Sequence, residues 1–316
     1  MNNSEIEFFQ QHGLTFQNVI GEGSFGKLFL VYSSHYDQCF ALKKIPQLSF
    51  HENEIECLKH ICQKNIINLY NYYRFDAHVY LLMEYCPNDL TLLLHQEKEI
   101  DPELLRVYIY DILQAIKTCH DNNIAHQDIK PSNFLIDKYG RIKICDFGLS
   151  NIYEDNPTCN TYKGTMLFMA PELFKKKEYN AMKADIWALG VTFFCMATKT
   201  YPFYCTNKQN YIKILNTGIF PHYKVASPSL REVIIRCLDL NPDTRATVDE
   251  LLKLPYFDQM RYHNPLETKD IGKTQSLNAI IFKPLLKRSL KLTERSTVTS
   301  LRKKIPIELL KHSSVY

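Results

Sequence analysis

Gly21, Gly23 and Gly26, with Glu22, Ser24 and Phe25 between them, form a G-x-G-x-x-G loop that suits phosphate chemistry. Glycine has no Cβ, so backbone N–H groups there can approach phosphate oxygens unobstructed. Dinucleotide-binding folds use the same spacing, but there a helix follows, whereas residues 27–32 read as a strand. A purely structural Gly-rich hairpin is the plain alternative. Seventeen residues after Gly26, the run Phe40-Ala41-Leu42-Lys43 ends in a cation on an otherwise apolar strand. By itself Lys43 reads equally as an edge lysine snorkelling to solvent. Glu54, on the next helix, can neutralise it. The densest cluster is His126-Gln127-Asp128-Ile129-Lys130-Pro131-Ser132-Asn133, followed after a short strand and a Tyr139-Gly140 turn by Asp146-Phe147-Gly148.

Periodicity shows the elements that must hold these groups. Residues 15–20, 27–32 and 39–45 are short β-rich runs separated by the Gly-rich turn and the polar stretch 33–38, as in an antiparallel meander. Within residues 51–62, Glu54, Leu58 and Ile61 share one helical face, so Glu54 points the same way as buried apolar groups. Apolar runs at residues 66–73 and 79–85 complete five strands. Asp101-Pro102 supplies an N-cap and a first-turn proline before the stripe Leu105, Ile109, Ile112, Ile116 and Cys119. Strands first and helices afterwards predict an α+β fold.

A chain of 316 residues, 45% hydrophobic, can bury a core large enough for one two-lobed domain or two ordinary ones. Its ten cysteines are scattered without a C-x-x-C pair, which points to a reduced, intracellular compartment. The N-terminus lacks the basic start and apolar stretch of a signal peptide. The longest apolar run, residues 186–198, falls short of the roughly 20 residues a membrane helix needs. A soluble, cytoplasmic protein without a transmembrane segment is expected, with a nuclear location left open. From Asp258 onward, 12 Lys and Arg face 5 Asp and Glu, a net of +7; the preceding residues carry 26 against 29, a net of −3. A domain boundary is therefore expected near Phe257. The basic tail lacks the aromatic interleaving of a nucleic-acid site, so no nucleic-acid partner is expected.

Residues 124–148 resemble the protein kinase family, and the likeness extends over about residues 15–257. It implies a two-lobed kinase fold: an N-terminal extension over residues 1–14, a small antiparallel β lobe with one helix over residues 15–86, a mainly helical lobe over residues 87–257, and a tail over 258–316. A transferring phosphoryl group carries spread negative charge, so its catalysis demands positioned cations and in-line geometry. By resemblance, Lys43 would hold the α- and β-phosphates of ATP, with Glu54 as its ion-pair partner. Asn133 and Asp146 would bind Mg²⁺. Asp128 would accept or orient the substrate hydroxyl proton as catalytic base, and Lys130 would neutralise the γ-phosphate.

The same resemblance assigns the loop Ile20, Gly21, Glu22, Gly23, Ser24, Phe25 and Gly26 to the phosphates. It makes Leu28, Ala41 and Leu135 the sandwich around adenine, Met83 the gatekeeper, and backbone groups of Glu84 and Cys86 the adenine hydrogen-bonding edge. Leu58, Leu69, His126 and Phe147 match the family's regulatory spine. Met169-Ala170-Pro171-Glu172 matches the end of the activation segment, with Arg245 as the structural partner of Glu172. Asp-Phe-Gly-Leu-Ser and the compact spacing from Tyr201-Pro202-Phe203 to Arg245 look most like the calmodulin-dependent and Snf1-like group. Lys130 and Gly164-Thr165 resemble the serine/threonine pattern. Protein substrates bearing Ser or Thr and a monomeric state are expected.

Substrate sequence is barely legible: Asp89 follows the hinge, but Ser132 and Cys195 stand where basophilic relatives often carry Glu. Gln127 stands where most regulated kinases have an Arg that pairs with an activation-segment phosphate, so independence from that phosphate is expected. Thr161, with Thr158 and Tyr162 nearby, lies where such a phosphate is usually found. A pseudokinase that binds ATP without turnover is the alternative; intact Lys43, Asp128, Asn133 and Asp146 favour activity. In the tail, Ile280, Ile281, Phe282, Leu285, Leu286 and Leu290 alternate with basic residues but are interrupted by Pro284. That pattern suits a mobile basic extension, autoinhibitory or engaged by a regulatory partner, better than a calmodulin-binding helix.

Overall fold

The computed structural model describes residues 3–23, 26–154, 156–175 and 177–261. Its first element, α1 (Asn3–Gln11), lies in the stretch read above as an extension. Glu5, Phe8 and Phe9 are buried on one face of it, and Gly13, at φ +68°, closes the helix end with its N–H on Gln10 O at 2.9 Å.

Five antiparallel strands follow: β1 (Leu14–Gly23), β2 (Gly26–Ser33), β3 (Gln38–Pro46), β4 (Leu69–Phe75) and β5 (His78–Glu84), ordered β1-β2-β3-β5-β4. The helix between β3 and β4, α2 (Glu52–His60), stops short of the expected Cys62, because Ile61 is already extended. Ile66, expected to open β4, instead bridges to Ile144. The two-residue period of a strand gives the sheet two faces. Phe29, Val31, Phe40, Leu42, Tyr80 and Leu82 form a separate outer core with Phe8 and Phe9 of α1. Ala41 and Lys43, of opposite parity on β3, turn to the other face.

The larger lobe contains β6 (Asn88–Asp89), α3 (Leu90–Gln96), α4 (Pro102–Asp121), β7 (Ile124–Ala125), β8 (Phe134–Ile136), β9 (Ile142–Ile144), β10 (Asn151–Ile152), β11 (Thr158–Cys159) and β12 (Tyr179–Asn180). Helices α5 (Ala181–Thr198), α6 (Lys208–Leu215), α7 (Pro228–Cys237) and α8 (Val248–Leu252) complete the part that frames the site. Asp101 caps α4 by accepting from Glu103 N and Leu104 N, and the apolar stripe behind it is buried. Helix α5 is apolar almost all round and is correspondingly enclosed. At Gly190 it meets α7 so closely that a Cβ would lie 2.6 Å from Cys237 Cβ. Among the described residues, no helix is long and apolar enough to cross a membrane. The tail pattern at residues 280–291 lies outside the described residues.

Candidate active site

Strand β3 brings Lys43, α2 brings Glu54, and the turn after β9 brings Asp146 to one point between the lobes. Lys43 Nζ lies 2.7 Å from Glu54 Oε1 and 2.8 Å from Asp146 Oδ1. Burial alone would lower the lysine's pKa, but the charges of Asp146 and Glu54 outweigh it and raise it. Asp146 is held below the ordinary carboxylate value, because burial is overcome by Lys43. Burial pushes Glu54 upward, against a Lys43 whose charge is shared between two carboxylates. Glu54 is 3% exposed, in keeping with its place on the apolar face of the helix, and the Lys43 side chain is 15% exposed.

Asp146 sits at φ +65°, a left-handed conformation rare outside glycine. It turns the chain into Phe147–Leu149, against which α2 packs. Phe147 is buried edge-on to His126, with ring centroids 5.0 Å apart; Leu58 is buried and Leu69 half-buried.

In the loop between β7 and β8, Asp128 Oδ2 accepts from Lys130 Nζ at 2.7 Å and from Asn133 Nδ2 at 3.2 Å. Its Oδ1 accepts from the Thr165 hydroxyl at 2.9 Å, while Lys130 Nζ donates to the same Thr165 oxygen at 3.0 Å. Asn133 Nδ2 also donates to Asp128 O at 2.7 Å. Asp185, at the start of α5, anchors the loop: its carboxylate accepts from His126 N and Gln127 N, each at 2.8 Å.

Gly23 pairs with Gly26 across the Gly-rich turn; Ser24 and Phe25 lie outside the described residues. Gly26 has φ +122°, and a Cβ there would lie 1.9 Å from Lys44 O, so only glycine fits. Glu22 is exposed and pairs with Lys27 at 3.2 Å. Ala41 lies opposite Met83 in the β3–β5 pairing, and Ile20, Leu28, Leu135 and Cys86 are half-buried. Lys43 and Lys130 face three carboxylates here, Glu54, Asp128 and Asp146. Asp146 uses one oxygen on Lys43, and Asn133 uses its amide nitrogen on Asp128. The oxygens that remain suit a hard divalent cation beside phosphate, so the residues fit MgATP.

Residues 14–257 match the family model described as the protein kinase domain. The chain belongs to the protein kinase family. It is 30% identical over 250 residues to CBL-interacting serine/threonine-protein kinase 18 of Arabidopsis thaliana, covering 76% of this chain and 48% of that one. Against the carbon catabolite-derepressing protein kinase of Saccharomyces cerevisiae the identity is 31% over 270 residues, covering 82% and 43%. Against the probable serine/threonine-protein kinase MARK-A of Dictyostelium discoideum it is 31% over 255 residues, covering 77% and 24%. The chain thus spans less than half the length of these relatives. Its kinase domain is of the serine/threonine type and falls in the calmodulin-dependent and Snf1-like group expected from its motifs.

Two side chains of this kinase domain do work that the sequence did not reveal. Asp89 accepts from Leu92 N at 2.9 Å as the N-cap of α3. Burial raises its pKa, partly offset by the N–H groups of Leu92 and Thr91, so the carboxylate also serves to start the helix. Glu84 Oε2 accepts from Asn68 Nδ2 and Lys143 Nζ, each at 2.9 Å, and so ties the expected adenine edge to β9. Cys195 is buried inside α5 and cannot meet a substrate there.

Proposed function

We propose that the domain is an active serine/threonine protein kinase that transfers the γ-phosphate of MgATP to Ser and Thr hydroxyls of protein substrates. The simultaneous pairing of Lys43 with Glu54 and Asp146 carries this reading, since it requires both lobes to be in their working relation. MgATP supplies the phosphoryl group and the metal charge. On this reading Lys43 holds the α- and β-phosphates, Glu54 fixes Lys43, and Asn133 and Asp146 would hold the metal.

Asp128 receives the substrate hydroxyl proton as base. The Thr165 hydroxyl already bonded to its Oδ1 supports that role, because the carboxylate is aimed at an O–H donor. Lys130, 2.7 Å from Asp128, neutralises the charge that moves toward the acceptor. Ile20, Leu28, Ala41, Met83 and Leu135 enclose adenine, with backbone groups of Glu84 and Cys86 at its edge. A regulatory partner for the basic tail is part of the same proposal.

Transfer of labelled phosphate from ATP to a degenerate Ser/Thr peptide library, with Asp128→Asn as control, tests this reading. Phosphate incorporation by wild type alone supports it, and equal labelling by both, or by neither, overturns it.

Gln127 supports control without an activation-segment phosphate, because an amide offers neither positive charge nor a bidentate fork. The Thr161 hydroxyl adds to this: it is buried, with no hydrogen-bond partner among the described residues, and so is poorly presented for modification. Steady-state rates of wild type, Thr161→Ala and phosphatase-treated enzyme should agree within about threefold. A tenfold loss in the latter two, restored by rephosphorylation, would refute this part of the reading.

A further inference from the structure

Behind the reacting groups, one chain of side-chain hydrogen bonds runs from the small lobe to the activation segment. Asn53 Nδ2, on α2, donates to Asn151 Oδ1 at 3.1 Å. Asn151 Nδ2, on β10, donates to Gln127 Oε1 at 3.1 Å. Gln127 Nε2 donates in turn to the Tyr153 hydroxyl at 3.1 Å and to Cys159 Sγ, on β11, at 3.4 Å. Every link has the same polarity, and none of the side chains carries a formal charge in this arrangement.

The relay passes beside the chemistry at two points. Asn53 is the neighbour of Glu54, so its position reports where α2 places the partner of Lys43. Gln127 precedes Asp128, and its backbone is fixed at φ +64° with its N–H on Asp185. The far arm of the activation segment also closes on Gln127: Gly164 has φ +101°, and a Cβ there would lie 2.7 Å from Gln127 O. Gln127 therefore meets the segment through its side chain at Tyr153 and Cys159 and through its carbonyl at Gly164. Asn151 is the link that turns these separate contacts into one connection across the cleft.

We propose that Asn151 is a positioning residue for phosphoryl transfer, holding α2, the catalytic loop and the activation segment in register through Asn53 and Gln127. The hold is made of neutral hydrogen bonds, so it is present without any phosphate. Its inner links are half-buried and the outer one is exposed, so the Asn151–Gln127 bond contributes more than the Asn53–Asn151 bond. The proposal rests on the kinase reading above.

The experiment compares phosphatase-treated full chains of wild type, Asn151→Leu, Gln127→Leu and the double variant. Leucine keeps the branching and the number of side-chain heavy atoms of asparagine but is bulkier and has no amide; Asn151→Ala serves as a second variant should Asn151→Leu fail to fold. The readouts are kcat on the selected peptide, KM for ATP, Tm, and hydrogen exchange over residues 156–165. Asn151→Leu should lower kcat about tenfold with KM for ATP within about twofold, the signature of lost alignment with nucleotide binding retained. Protection over residues 156–165 should fall, while Tm moves by no more than about 2 °C. The double variant should be no more than about twofold slower than Gln127→Leu, because members of one network are not additive.

Wild-type kcat with unchanged protection, effects that multiply in the double variant, or a loss of Tm alone would each overturn the proposal. Absence of peptide phosphorylation by wild type would defeat the kinase reading separately. The exchange measurement would still decide the relay, since protection lost on Asn151→Leu supports it and protection retained refutes it.

Discussion

Arg245 is fully buried and grips Glu172 at two points, Nη1 on Oε1 at 2.6 Å and Nη2 on Oε2 at 3.0 Å. It also donates to the carbonyls of Asp239 and Lys183 and lies over the Trp187 ring at 5.2 Å. Removing one partner strands a buried charge, at a cost of about 3–5 kcal/mol. Arg245→Met should therefore lower Tm by about 10 °C in calorimetry, and Arg245→Met/Glu172→Leu should recover part of that loss. A single-variant fall below about 2 °C would show that the pair contributes little.

Lys43→Met and Asp146→Asn should each reduce kcat at least about 10²-fold, since each removes charge that organises the transferring group. Their stabilities should differ. Lys43→Met leaves Glu54 buried without a cation, whereas the Asp146 side chain is 25% exposed and can recruit water. Lys43→Met should thus melt below both Asp146→Asn and wild type. Full activity in either variant would sink the site assignment, and equal melting temperatures would sink the burial argument.

The α+β class and the kinase family were legible because the informative residues are unusual in type and keep their order. Lys43, Glu54 and Asp146 converge from three elements as those motifs imply. Helix α1 was missed although Glu5, Phe8 and Phe9 stand at i, i+3 and i+4, because a nine-residue helix is marginal alone and its apolar partners lie on distant strands. The capping role of Asp89 was missed, although Asp followed three residues later by an apolar helix position fits an N-cap. The relay through Asn151 leaves no local signal at all: Asn53 and Asn151 are 98 residues apart, and an amide side chain has many ordinary uses.

Asp111, on α4, is pushed up to about 6 by burial, against Lys64, the Ile142 N–H and Asn65, from an ordinary value of 3.8. The folded state thus holds this proton more tightly than the unfolded chain. Its contribution is most favourable below pH 3.8 and is lost as pH rises to about 6, above which the ionised carboxylate is a net cost. Asp111→Asn keeps an acceptor and avoids that cost. It should raise Tm by about 2–5 °C near pH 7.5, with the gain shrinking toward pH 4.5. A gain that is constant across this range, or a loss at pH 7.5, would contradict the assignment.

Glu5 ties α1 to the catalytic sheet: its Oε1 accepts from Lys44 Nζ and from the Tyr80 hydroxyl, both at 2.8 Å. Lys44 follows Lys43 on β3 but faces the opposite side, so one strand carries the cleft cation and the anchor of the helix. Burial acts to raise the Glu5 pKa, yet the bonds from Lys44 and Tyr80 overcome it and the value is lowered from 4.5. A lowered folded value means that the stabilisation is present above pH 4.5 and is lost as pH falls through the folded value. Glu5→Gln should therefore lower Tm by about 2–6 °C at neutral pH, with the gap to wild type closing as the solution is acidified. Phe9→Ala supplies the contrast, since it removes a nearly fully buried ring at a cost of about 3–5 kcal/mol that does not depend on carboxylate ionisation. Melting curves of the three proteins between about pH 4 and pH 8 separate the two effects. If Glu5→Gln stays a constant distance below wild type, the charge of Glu5 is not what fastens α1 to the sheet.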